Sequence, residues 1–79
     1  MDYDEDKVDD AVLALLHLTT FTDRGFPCAW KGQSWAAMER LHKKGYISDP
    51  VGKAKSVGLS EVGVKRSQEL FAQLFGRAS

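Results

Sequence analysis

Seventy-nine residues, 43% hydrophobic and 28% charged, describe a single ordinary globular domain and exclude a disordered chain. No apolar run approaches the roughly 20 residues that cross a bilayer, and one cysteine, Cys28, cannot form an internal disulfide. The formal net charge is zero, yet residues 1–10 hold six acids against Lys7, and residues 11–79 hold ten bases against five acids.

The leader "MDYDEDKVDD" is the reverse of a signal peptide's basic start, and with the lone thiol it points to a reducing cytoplasm. Residues 1–7 read as an acidic N-terminal segment. The first helix is predicted from about Asp4 to Thr20, its acids complementing the positive end of the helix dipole. Val8, Val12, Leu15 and Thr19 form one stripe, Leu13, Leu16 and Thr20 a second, with Ala11, Ala14 and Leu18 between. A helix so apolar around its circumference needs cover on more than one side. A second subunit could supply it in so small a domain. His17, among these leucines, reads as a core or interface histidine.

Gly25, Pro27 and Gly32 interrupt "FTDRGFPCAWKGQ", so Phe21–Gln33 is expected to be a structured loop pinned by Phe21, Phe26 and Trp30. Trp30 is expected as a buried anchor, the alternative being an exposed platform beside Lys31. A second helix is predicted from about Ser34 to Lys44, with Ser34 or Gln33 near its N-cap and Gly45 as its stop. Trp35, Met38 and Leu41 fall on one inward face, with Gln33, Ala36, Glu39, Arg40 and Lys43 opposite and Lys44 at the end. His42 reads as a surface residue.

Tyr46 and Ile47 begin a short strand, "DPVG" at Asp49–Gly52 is a turn signal, and Ser56–Leu59 reads as the returning strand. Ser60 is the predicted N-cap of a third helix, Glu61 to Phe75, with Gly63, Ser67, Leu70 and Leu74 facing inward. The small Gly63 and Ser67 would allow close approach to the sheet, and residues 76–79 would fray. The expected fold is one α+β, mostly helical domain spanning residues 1–79, in the order helix, loop, helix, β-hairpin, helix.

No catalytic chemistry is legible. The two histidines lie on different predicted helices, away from any serine, cysteine or acid at catalytic spacing, so the expectation is a non-enzyme. One Cys and two His cannot make a zinc cluster, the glycines form no phosphate loop, and the leader lacks a calcium-loop glycine. Neither metal, cofactor nor membrane is expected.

The run "MERLHKKGYIS…KSVGLSEVGVKRSQELF" resembles the second half of bacterial winged-helix regulators of the multiple-antibiotic-resistance and phenolic-acid types. Leu41, Gly45, Tyr46 and Ile47 match the end of their recognition helix; Leu59, Ser60, Glu61 and Gly63 match the entry to their last helix. The resemblance covers Ser34 to Phe75 and implies a winged-helix-like domain. In such domains a short helix crosses the phosphate backbone where this chain has "TDRGFPCAWKG". The longer run from Ala29 to Gly63 is similar to a family of small bacterial proteins with no established activity.

Two functions follow as expectations. In one, a transcription regulator of the dimeric-repressor kind binds double-stranded DNA. Gln33, Ser34, Ala37 or Arg40 reach base edges, and Lys31, Lys43, Lys44, Lys53 and Lys55 lie with them on a cationic flank that meets phosphates. In the other, a protein-interaction module or homodimer uses Val8, Val12, Leu13, Leu16, Phe71 and Phe75 as its interface, and the acidic leader can fold back on the chain's own basic side.

Overall fold

In the computed structural model, which describes residues 1–77, the first helix begins where an acid caps it. The Asp4 carboxylate accepts the amides of Asp6 and Lys7 at 3.0 and 3.2 Å, and α1 runs Glu5–Leu18. It ends short of the expected Thr20; the Thr19 and Thr20 hydroxyls donate back to the Leu15 and Leu16 carbonyls and stop the turn.

The segment expected as a loop is a β-hairpin. β1 (Phe21–Asp23) pairs antiparallel with β2 (Phe26–Trp30) across a two-residue turn, with Asp23 opposite Phe26. Arg24 and Gly25 both have positive φ, 53° and 84°, the backbone a tight hairpin of matching twist demands. The expectation failed because Gly25 and Pro27, taken as breakers, occupy a turn and a strand position: Pro27 is opposite Thr22 where no bond to β1 is needed, and its carbonyl still accepts Leu59 N–H at 3.0 Å. In winged-helix regulators a helix stands at this place; here a hairpin does.

The helix α2 (Trp35–Lys43) ends in a Schellman arrangement: Gly45 N–H donates to the His42 carbonyl at 3.0 Å and Tyr46 N–H to Leu41 at 3.1 Å, with Gly45 at φ 84°. The single hairpin expected after α2 is reduced to an isolated bridge between Ile47 and Leu59 and a bond from Ser48 N–H to the Gly58 carbonyl. Its returning segment, β3 (Ser56–Gly58), pairs instead with β2, giving the sheet order β1-β2-β3. At the turn the Asp49 carboxylate accepts Val51 N–H at 2.9 Å. α3 spans Glu61–Phe75, as the sequence predicts, and Ser60 caps it by accepting Gly63 N–H at 3.0 Å.

Among the described residues the fold is thus α+β, three helices and one three-stranded antiparallel sheet. Leu13, Leu16, Met38, Leu41, Val57 and Leu70 form the centre of the core, with Ala29 reaching it from the sheet. α1 packs chiefly on α3 and also touches α2 and β2. The second cover that its apolar circumference requires therefore comes from the same chain. Gly63 is buried, and a methyl there would overlap the Tyr46 carbonyl, so α3 crosses close to the end of α2 rather than to the sheet. Leu74 and Trp35, expected inward, are 49% and 53% exposed because each lies at a helix end beyond the reach of its neighbours. Of the tail expected to fray, residues 78–79 lie outside the described residues.

Candidate functional site

Asp9 is the most constrained ionisable group. It lies in line with Leu13 and Leu16 on the buried face of α1 and has no solvent exposure. Arg40 Nε lies 2.9 Å from both of its oxygens and Arg40 Nη2 2.8 Å from Oδ1, while Lys44 Nζ is 2.9 Å from Oδ2. Arg40 also reaches Glu5 at 2.9 Å and Lys44 reaches Asp6 at 3.1 Å. Burial alone would raise the Asp9 pKa, but the Arg40 and Lys44 hydrogen bonds outweigh it and hold the carboxyl below its ordinary value. The same bonds, led by those to Asp9, raise Arg40 and Lys44. The acids of the leader thus fold onto the basic end of α2.

This cluster divides the expected nucleic-acid flank. Arg40 and Lys44 are engaged by α1, and Ala37 is fully buried against the core. Lys31 spends its ammonium on the loop after α2, donating to the Pro50 and Gly52 carbonyls at 2.8 and 3.2 Å. Gln33 is half-buried and Ser34 exposed at the N-cap position of α2, its hydroxyl making no capping bond. Lys43, Lys53 and Lys55 are exposed and, among the described residues, form no ion pair.

The outer face of the sheet carries a feature the sequence reading placed in the core. Alternation along β2 turns Ala29 inward, where it is fully buried, and Phe26, Cys28 and Trp30 outward. Phe21, opposite Cys28 on β1, joins this face and packs on Trp30 with ring centroids 4.9 Å apart. Trp30 is 57% exposed and Phe26 69%, so Trp30 is not the buried anchor expected. The period-two signal Phe26–Cys28–Trp30 was present in the sequence but was masked by Pro27 and the flanking glycines. For Asp9 the legible signal was an acid at i, i+4, i+7 with Leu13 and Leu16.

The expected interface residues divide as well. Leu13 and Leu16 are buried and Val12 nearly so, all within the monomer core. Val8 and Phe71 are partly buried against it, Phe71 also tilting against His17 at 5.2 Å, and Phe75 is 48% exposed. His42 is exposed, with Nδ1 3.0 Å from the Ile47 carbonyl. Among the described residues there is no pocket and no group of three His, Cys, Asp or Glu placed to hold a metal, and no helix is long and apolar enough to cross a membrane.

Comparison with known proteins gives two matches. The profile of a domain of unknown function, DUF6429, matches residues 4–77. The uncharacterized protein y4hR of Sinorhizobium fredii (strain NBRC 101917 / NGR234) is 57% identical over 77 residues, covering 98% of this chain and all of that protein. No solved structure matches.

Proposed function

Since the chain belongs to the DUF6429 family, whose description assigns no activity, we propose from its surface that it is a non-enzymatic protein-interaction domain. The observation that carries this reading is the outer sheet face, where Phe26 and Trp30 are more than half exposed beside Phe21. Large aromatics gathered on one exposed face are the usual anchors of protein interfaces. The internal neutralisation of Arg40 and Lys44 supports the same reading, since it removes two cations from any phosphate-binding flank. A photo-crosslinking side chain placed at position 30, in protein expressed in bacteria, should give discrete protein adducts. The same probe at the exposed Gln68 of α3 should give none. Equal labelling at both positions, or none at position 30, ends the reading.

A second reading, a winged-helix regulator on double-stranded DNA, draws on the resemblance of residues 34–75 and on Lys43, Lys53 and Lys55, which are exposed without a carboxylate partner among the described residues. Three phosphate contacts would give a log–log salt slope of about −2.7 in fluorescence anisotropy. Flat traces at low salt end that reading.

A further inference from the structure

We propose that the outer sheet face binds a cationic segment of a partner protein, its arginine or lysine lying over Phe26 and paired to Asp23. An apolar side chain of the same segment seats on Trp30. This deepens the interaction reading above and rests on it. Charge selects the occupant. Directly opposed residues of an antiparallel pair point to the same side, so Asp23, opposite Phe26, shares the outer face with Phe21, Phe26, Cys28 and Trp30. β3 adds only Ser56, opposite Trp30, and Gly58, opposite Cys28. Among the described residues Asp23 is therefore the one charged strand position on that face, and it enters no ion pair.

The neighbouring bases do not neutralise it. Lys31 and Lys55 stand one residue outside Trp30 and Ser56, so alternation turns them to the other side. The Lys31 ammonium is also held by the Pro50 and Gly52 carbonyls. Arg24 follows Asp23 in the turn without pairing to it. A partner that covers Phe26 also strips water from the carboxylate opposite, which is costly unless a cation replaces that water. A guanidinium answers both surfaces at once, stacking on a ring and forking onto a carboxylate. A second copy brings another Asp23 and no base from its own outer face, and a phosphate backbone brings like charge.

The rest of the face sets the spacing. Phe26 and Trp30, 69% and 57% exposed, are four residues apart, about 13 Å along the strand. The Phe21 ring, 4.9 Å from that of Trp30, holds the indole in place before any partner arrives, which lowers the ordering cost of association. Beside them β3 is bare: a Cβ on Gly58 would meet nothing closer than Ser48 Oγ at 3.9 Å. An extended segment fits along this strip with its base and its apolar anchor about four residues apart.

The test is selection of displayed random short peptides on the immobilised full chain, followed by anisotropy titration of the selected peptides. Wild type should enrich an arginine or lysine about four residues from an aromatic or large aliphatic residue. Trp30→Ser should lose these peptides, and Asp23→Lys should select acidic residues in place of basic ones. Both variants should keep the wild-type far-ultraviolet circular dichroism, since both positions are exposed. Asp23→Asn should weaken a selected peptide about fivefold, the scale of one partly screened charge-assisted hydrogen bond. Replacing the peptide's own base by glutamine should then cost nothing more in that variant. The inference is overturned by additive losses, by wild-type peptides that lack a base, by unchanged enrichment in Asp23→Lys, or by peptides that Trp30→Ser retains. It is overturned equally by a wild-type chain that selects no peptide. In that case crosslinks to protein from position 30 leave the interaction reading standing without this occupant; absence of any adduct ends both.

Discussion

The Asp9 carboxylate lies across a fork of the Arg40 guanidinium, with Nε 2.9 Å from each oxygen and Nη2 2.8 Å from Oδ1. Thirty-one residues separate the two along the chain. Their pairing, completed by Lys44, fixes how α2 lies on α1. It also removes part of the chain's charge asymmetry from the surface, so that the neutral total is partly realised as local ion pairs.

Asp9→Asn should destabilise the fold by about 3 kcal/mol in urea unfolding at neutral pH, near the lower end for breaking a buried ion pair. The lower end applies because the stranded Arg40 and Lys44 side chains are 24% and 35% exposed and can turn to water. Asp6→Asn, which removes only a carboxylate 85% exposed, should cost under about 1 kcal/mol. Equal losses in the two variants would show that the cluster acts as surface charge alone.

Acid should unfold the protein through the same carboxyl. Its native pKa is lowered, so the unfolded chain takes up the proton first as pH falls. The contribution is complete above the ordinary carboxylate value of about 3.9 and is lost as pH drops through the lower native value. Urea midpoints of wild type should fall below about pH 4, with a shallower fall in Asp9→Asn. The raised pKa of Lys44 has the opposite sense. Its contribution is present at neutral pH and is lost as pH climbs past 10.5 through the higher native value, a limb that Lys44→Met should flatten.

Arg24 adopts φ 53° at the hairpin turn, a left-handed conformation that side chains other than Gly, Asn and Asp adopt at some cost. Arg24→Asn should therefore raise stability by up to about 1 kcal/mol, and Gly25→Ala at φ 84° should lower it by about 1 kcal/mol or more. Thermal melts of the two variants should move in opposite directions. A shift of the same sign in both would mean that the turn is not formed in solution.

Ser60 joins α2 to α3. Its hydroxyl donates to the Gly45 carbonyl at 2.7 Å and accepts Gly63 N–H, and its own amide donates to the Tyr46 carbonyl at 3.0 Å. Ser60→Ala should cost about 1 kcal/mol, the usual loss of a cap. Gly63→Ala should cost more, about 3 kcal/mol, because the added methyl meets backbone that cannot rotate away. A neutral Gly63→Ala in denaturant titration would contradict the close crossing of α3 over Tyr46.

Local chemistry was legible from the sequence. Ser60 before a 3.6-residue apolar pattern gave the start of α3, Gly45 after Leu41 gave the end of α2, and Val12, Leu13 and Leu16 marked the buried side of α1. These signals act within a turn or two of chain, where the nearest neighbours are known from the residue order. The hairpin β1–β2 was not legible, because its strands are three and five residues long and its turn holds Arg where Asn or Asp would announce it.

The sequence by itself settled which residues could share a helix face, where two helices begin or end, and that acid and base lie in separate parts of the chain. Only the tertiary structure decided which acid meets which base and which aromatics remain outside. Periodicity places Asp9 with Leu13, and Phe26 with Trp30, but whether a face is covered depends on elements distant in the chain. α2 supplied the cations that let Asp9 be buried, while among the described residues Trp30 has Phe21 beside it and stays 57% exposed.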